Sequence, residues 1–211
     1  MSETENGEPE AGEEFNDRHR EKMKKRKAAR DKMMASKTEE RGLIIVHTGK
    51  GKGKSSAAWG MALRCIGHGF KIGVVQFIKG RSETGETKLF ALFPDQVTHK
   101  IMGEGFTWET QDRERDVAAA TAAWEESKAM MAYPEIHMVI LDELNIALRY
   151  DYVDLDDVLD TLATKRTDLH VVITGRNAKP ELIDLADLVT EMTLIKHPFR
   201  EGVRGQIGVE F

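Results

Sequence analysis

The stretch GLIIVHTGKGKGKSS, from Gly42 to Ser56, decides how the rest of the chain is read. Its apolar run, residues 43–46, predicts a buried parallel strand, and it stops at a glycine-rich turn that leads directly into the helix-compatible AAWGMALRCIG. Strand, glycine-rich turn and helix in that order form an anion cradle. Gly49, Gly51 and Gly53 permit positive φ and let phosphate oxygens approach backbone N–H groups. The helix starting near Lys54 points its unpaired N–H groups and positive dipole end at the same place. Lys54 adds a mobile positive charge, and Ser55 stands where a phosphate loop offers a hydroxyl oxygen to magnesium. Gly49, Lys50, Gly51, Lys52, Gly53, Lys54, Ser55 and Ser56 are therefore the candidate nucleotide-phosphate-binding residues.

The spacing departs from the usual phosphate-loop pattern, G-x-x-x-x-G-K-[ST]. That pattern would place a glycine at position 48, where this chain has Thr48, so with Gly49 as first glycine the loop is one residue short. A shorter loop cannot wrap a triphosphate in the standard way, which predicts a different nucleotide pose.

With 211 residues and a formal net charge of -5, the chain is long enough for one α/β domain with a sizeable core and an appendage. The single cysteine, Cys65, excludes an internal disulfide framework, and its place in the predicted helix suits a small buried residue. No run of 18 apolar residues and no hydrophobic amino-terminal segment is present, so the expectation is a cytoplasmic protein without a membrane span. The seven histidines lack the close spacing of a zinc site.

Residues 1–14 are acidic and nearly devoid of apolar side chains, and are expected to be disordered. Residues 15–40 change to a basic run without proline or glycine, RHREKMKKRKAARDKMMASK, which predicts a helix; Phe15, Met23, Met33 and Met34 form only a narrow apolar stripe. A nucleic-acid arm and a solvated helix both fit that composition. Residues 41–211 form the phosphate-loop domain, where apolar runs alternate with helical patterns. Strands are expected at 43–46, 72–78, 96–102, 138–141, 169–174 and 189–195, with an edge strand possible in the closing tail. Helices are expected at 84–93, 109–132, 154–166 and 180–188, as well as after the loop. Such alternation specifies an α/β fold, a mainly parallel sheet with helices on both faces.

Two further places carry chemistry. The run IHMVILDELNIAL ends a buried strand in Asp142 and Glu143, the arrangement in which a carboxylate holds magnesium directly or through water. In GEGFTWE, Phe106 and Trp108 flank a threonine within a glycine-bounded loop, suited either to a flat apolar ligand or to packing between sheet and helix. Lys79, at the carboxyl end of the second strand, is a candidate phosphate contact or an ordinary loop lysine.

GKGKGKSS, VVQFIKG, GEGFTWETQDRERD, VILDELNIAL, VITGRNA, ADLVTEM, KHPF and GQIGVEF occur in this order, and together they resemble the ATP:corrinoid adenosyltransferases of cobalamin biosynthesis. The resemblance covers residues 41–211. Related members often read GKTT where Ser55 and Ser56 stand here, so the hydroxyl is retained. The resemblance implies a RecA-like phosphate-loop fold, a homodimer, a flavoprotein-type reductant, and transfer of the 5′-deoxyadenosyl group of ATP to cobalt(I), with triphosphate released. It implies ATP held in reverse along the loop, Mg²⁺ or Mn²⁺ held by Ser55 and Glu143, and Asp142 in the outer shell of the metal. Lys54 would stabilise the leaving triphosphate, while Phe106 and Trp108 would pack on the corrinoid and displace its lower axial ligand. The amino-terminal helix in this family can fold over the substrate, so removing residues 1–38 is expected to weaken corrinoid binding and spare nucleotide affinity.

A phosphate-loop kinase or NTPase would release ADP instead of triphosphate. A nucleotide-gated nucleic-acid binder would use the basic helix as its arm, but residues 41–211 hold 21 basic and 25 acidic residues, which argues against a phosphate-tracking surface and leads us to expect no nucleic-acid partner.

Overall fold

The computed structural model describes residues 11–78, 84–103 and 112–210. Lys79, Phe106 and Trp108 lie outside the described residues, as do residues 1–10 of the expected tail.

The chain divides into Met1–Glu40 and Arg41–Phe211. The first unit contains helix α1, Ala11–Ala35. It begins at Ala11, inside the stretch expected to be disordered. It ends five residues before position 40, where Ser36 donates both its N–H and its hydroxyl to the carbonyl of Met33. Competition of that kind between a serine and the helix backbone marks many helix ends.

The second unit is a six-stranded sheet in the order β3-β2-β4-β5-β1-β6, with every neighbouring pair parallel. The strands are β1 Ile44–Thr48, β2 Lys71–Gln76, β3 Val97–Ile101, β4 Ile136–Asp142, β5 His170–Thr174 and β6 Leu188–Glu191. Helices α2 Lys54–Gly67 and α3 Gly85–Phe90 follow β1 and β2, and α4 Arg113–Ala132 follows β3. Between β4 and β5 lie α5 Leu144–Arg149 and α6 Leu155–Ala163, and α7 Pro180–Leu185 precedes β6.

Alternation along the strands builds two cores. Val46, Val75, Val139, Leu141, Val171 and Ile173 face a cluster completed by α4, α5, α6 and α7. Ile45, Val74, Ile140 and Val172 face the opposite cluster, completed by Ala58, Trp59, Ala62, Cys65 and Ile66 of α2 and Phe90 of α3. Successive side chains of a strand point to opposite faces, so a sheet covered on both sides needs continuous apolar runs. Each fully buried aliphatic side chain contributes about 2 kcal/mol of transfer free energy, which secures the helices on both faces of the sheet.

Two expectations are corrected and one helix is added. The strand ends at Asp142, Glu143 turns at φ 65, and Leu144, Ala147 and Leu148, spaced three to four apart, bury one face of the separate helix α5, for which no expectation was formed. The sixth strand stops at Glu191 instead of 195, since β1, its partner, ends at Thr48 opposite Glu191. Among the described residues of the tail there is a 3-10 turn, Pro198–Glu201, and no edge strand.

Candidate active site

Four neighbouring strands end in a polar residue that is nevertheless buried: Thr48 on β1, Gln76 on β2, Asp142 on β4 and Thr174 on β5. In a parallel sheet these are the carboxyl ends, and β5 lies between the strand that launches the phosphate loop and the strand that ends in Asp142. The sequence thereby brings residues 55, 76, 142 and 174 into one cluster.

The loop itself runs from Gly49 to Gly53, because Thr48 still belongs to β1 and Lys54 already begins α2. Its shortness is therefore real in the backbone. Gly49 at φ 96 and Gly53 at φ 101 occupy the left-handed region, and a Cβ on Gly49 would meet the Met192 carbonyl oxygen at 2.5 Å. The chain just past β6 closes on the loop: Gly51 N–H donates to the Met192 carbonyl at 2.6 Å, and Met192 N–H donates to the Thr48 carbonyl at 2.9 Å.

Lys54 is 8% exposed, and its Nζ donates to the Gly51 carbonyl at 2.6 Å. Burial pushes its pKa below the usual lysine value; Glu143 pulls it back most strongly, while Arg176 and Lys52 push in the same direction as burial and Asp142 opposes them. Arg176, one residue past the Gly175 that follows β5, is thus a second cation close to the loop that sequence reasoning missed. Lys52 pairs instead with Glu210 of the tail, and that ion pair holds the Glu210 carboxyl below its usual range. Lys50 is exposed and Ser56 follows Ser55 in the first turn of α2.

Asp142 is fully buried and accepts from three side chains. Ser55 Oγ and Thr174 Oγ1 donate to its Oδ1 at 2.7 and 2.8 Å, and Gln76 Nε2 donates to Oδ2 at 2.9 Å. Thr174 Oγ1 also accepts the N–H of Glu143 at 2.9 Å, which fixes the left-handed turn after the strand. Of the two acidic residues, then, Asp142 is the one that touches Ser55. Glu143 extends toward Gly175, where a Cβ would come within 3.1 Å of its Oε2.

The donor chemistry suits a hard divalent cation. By giving its proton to Asp142, Ser55 keeps its lone pairs available, and the nearby carboxylates supply the negative charge such an ion requires. Among the described residues no group of three or more His, Cys, Asp or Glu side chains is placed to hold a metal. A hydroxyl beside carboxylates is a donor set compatible with Mg²⁺, an ion that keeps water and phosphate oxygens among its ligands.

Fold and site together define an α/β nucleotide-binding protein with a phosphate loop. Comparison with known proteins is more specific. The family model for ATP:corrinoid adenosyltransferase BtuR/CobO/CobP matches residues 40–211. The chain is 59% identical over 196 residues to a corrinoid adenosyltransferase of Sinorhizobium sp, covering 92% of each chain. It is 53% identical over 198 residues to a corrinoid adenosyltransferase of Pseudomonas aeruginosa, with 94% of this chain and 98% of that one covered. It is 46% identical over 195 residues to the corrinoid adenosyltransferase CobA of Salmonella typhimurium, with 92% and 98% covered. The chain belongs to the ATP:corrinoid adenosyltransferase family. Membership places it among transferases that adenosylate corrinoids with ATP as co-substrate. Among its described residues no helix is long and apolar enough to cross a membrane.

Proposed function

We propose that the protein transfers the 5′-deoxyadenosyl group of ATP to the cobalt(I) of a corrinoid, cob(I)yrinic acid a,c-diamide or cob(I)alamin, in adenosylcobalamin biosynthesis or salvage. The observation that carries this reading is the five-residue loop Gly49 to Gly53, shorter than a standard phosphate loop and tied to Lys54 through the Gly51 carbonyl. An electron pair on cobalt(I) attacks C5′ of ATP, the cobalt–carbon bond forms, the C5′–O bond breaks, and the pair passes to the leaving triphosphate. Charge therefore grows on the triphosphate, not on a single transferred phosphoryl group. Lys54, once released from the Gly51 carbonyl, and the loop N–H groups stabilise that charge from fixed positions. Arg176 adds to the same field.

Ser55 and Glu143 would hold Mg²⁺ or Mn²⁺, with Asp142 orienting Ser55 from behind. The ion would supply charge neutralisation along the triphosphate. No general base is needed, since no proton is transferred. Phe106 and Trp108 are proposed to face the corrinoid and displace its lower axial ligand, preparing cobalt for reduction by a flavoprotein-type reductant. Lys79 is assigned to the ATP phosphates.

A homodimer in the cytoplasm completes the reading. Its support is the apolar surface past α7, where Leu188, Val189, Ile195, Phe199, Ile207 and Val209 are exposed. Incubation with ATP, Mg²⁺ and chemically reduced cobalamin tests the proposal: a light-sensitive cobalt–carbon product is expected, and an unaltered corrinoid spectrum alongside ATP turnover would overturn it.

A further inference from the structure

The hydrogen bonds around Asp142 continue outward across the sheet. Asp142 ends β4 opposite Gln76 at the end of β2, and Gln76 is buried. Gln76 Nε2 is 2.9 Å from Asp142 Oδ2, and Gln76 Oε1 is 3.0 Å from Nε2 of His99 on the edge strand β3. An ionised carboxylate only accepts, so it fixes the polarity of the whole row. The amide must present its NH₂ group to Asp142, its oxygen is left for the histidine, and His99 must carry a proton on Nε2. The His99 ring is itself held edge-on by Phe90 of α3, at 5.5 Å between centroids and 89° between planes. Phe90 in turn packs edge-on against Trp59 of α2, the helix that carries Ser55.

Each oxygen of Asp142 is thereby assigned a direction. Oδ2 is turned toward Gln76, and Oδ1 is left facing the hydroxyls of Ser55 and Thr174. Without the bond from Gln76 the carboxylate loses one of its anchors and is free to tilt out of line with the Ser55 hydroxyl. We propose that Gln76 and His99 are positioning residues for the adenosyl transfer, acting in series through Asp142 to hold Ser55 in the orientation that accepts a nucleotide-bound divalent cation. This rests on the metal-assisted reading given above. Neither residue touches the reacting atoms, and each works through the side chain inward of it. Partners that orient the immediate ligands of a metal typically change its affinity by about 10- to 100-fold when removed.

The test measures ATP binding by calorimetry across a Mg²⁺ titration, so it reads the site without the corrinoid reaction. Gln76→Leu is expected to raise the Mg²⁺ concentration for half-maximal ATP binding about tenfold, and His99→Phe, which keeps the ring packing on Phe90 but removes the N–H donor, about threefold. Mg²⁺-free ATP affinity should stay unchanged in both. His99→Gln restores a donor of similar reach and should recover most of the loss. Adding His99→Phe to Gln76→Leu should do nothing more, because the two act in one line. If Gln76→Leu fails to fold, His99→Phe against His99→Gln carries the comparison alone. Unshifted Mg²⁺ dependence in the variants, equal losses with and without Mg²⁺, or additive effects in the double variant would each overturn the positioning role. Wild-type binding of ATP that ignores Mg²⁺ would overturn the metal-assisted reading and this inference with it.

Discussion

Strands β4 and β5 carry a polar cluster at each end, and the two clusters are built in opposite ways. At the amino end His137 stacks on Phe70 at 4.1 Å, and His170 lies 5.2 Å from His137. His170 Nδ1 accepts the N–H of Leu43 at 3.1 Å. There a polar side chain serves the backbone. At the carboxyl end the side chains of Ser55, Thr174 and Gln76 converge on Asp142, and the backbone turns that surround it, at Gly49, Gly53, Glu143, Gly175 and Asn177, all have positive φ. Left-handed backbone and converging donors gather at the carboxyl ends, the side of a parallel sheet that offers binding crevices, while the other end of the same strands is organised for packing.

The largest way to sharpen that contrast is Lys54→Ala. It removes one charge facing the leaving triphosphate, worth about 3 kcal/mol or roughly 10²-fold in rate, and it removes no contact on which the core depends. We expect adenosyl transfer to be lost in a steady-state assay while the thermal melt stays close to that of the wild type. A near-normal rate would mean that the loop is not the catalytic cradle. Asp142→Ala should differ by damaging both properties. It leaves the donors of Ser55, Thr174 and Gln76 without their acceptor, a loss of about 3 kcal/mol of stability or more, since each buried group so orphaned costs roughly 1–3 kcal/mol. Denaturant unfolding beside an activity assay separates the two variants.

Next in size is a split between two steps. Phe106→Ala and Trp108→Ala should react poorly from cobalt(II) with a mild reductant, and recover much of their rate when cobalt(I) is supplied. Equal losses in the two assays would show that the aromatics serve only to hold their loop.

The smallest effect belongs to the amino end. Burial first, then the neighbouring His137 and Lys165, lower the pKa of His170. Its neutral form is favoured by the fold, so the stability it contributes is fully present above the unfolded value of about 6.5 and is lost as pH falls below it through the lowered folded value. His170→Asn keeps an acceptor for Leu43 and removes the titration. Its melting temperature should fall less on acidification than that of the wild type, with adenosyl transfer at pH 8 unchanged; a steeper acid loss would contradict this assignment.

Much of the site was legible because its chemistry is local. Loop residues 49 to 56 and the acidic pair at 142 and 143 are contiguous in sequence, and hydrophobic runs before them mark the strands. What the sequence did not reveal is set by strand order. Thr174 reaches Asp142 because β5 pairs with β4, and Gln76 reaches it because β2 pairs on the other side. Neither neighbour is encoded in the spacing of the motifs. A usable signal was present in the polar residue that closes each buried apolar run, at Thr48, Gln76, Asp142 and Thr174. The brief helix α5 was missed for another reason: the short stretch LNIAL, apolar except for Asn145, fits a buried strand and a buried helix equally until the turn at Glu143 is seen.

The central claim is that the loop holds a whole triphosphate as leaving group. It is tested most directly by incubating the protein with ATP, Mg²⁺ and cobalt(I) corrinoid and identifying the phosphate product by phosphorus-31 resonance. The account predicts inorganic triphosphate in step with the cobalt–carbon product; ADP with orthophosphate would contradict it.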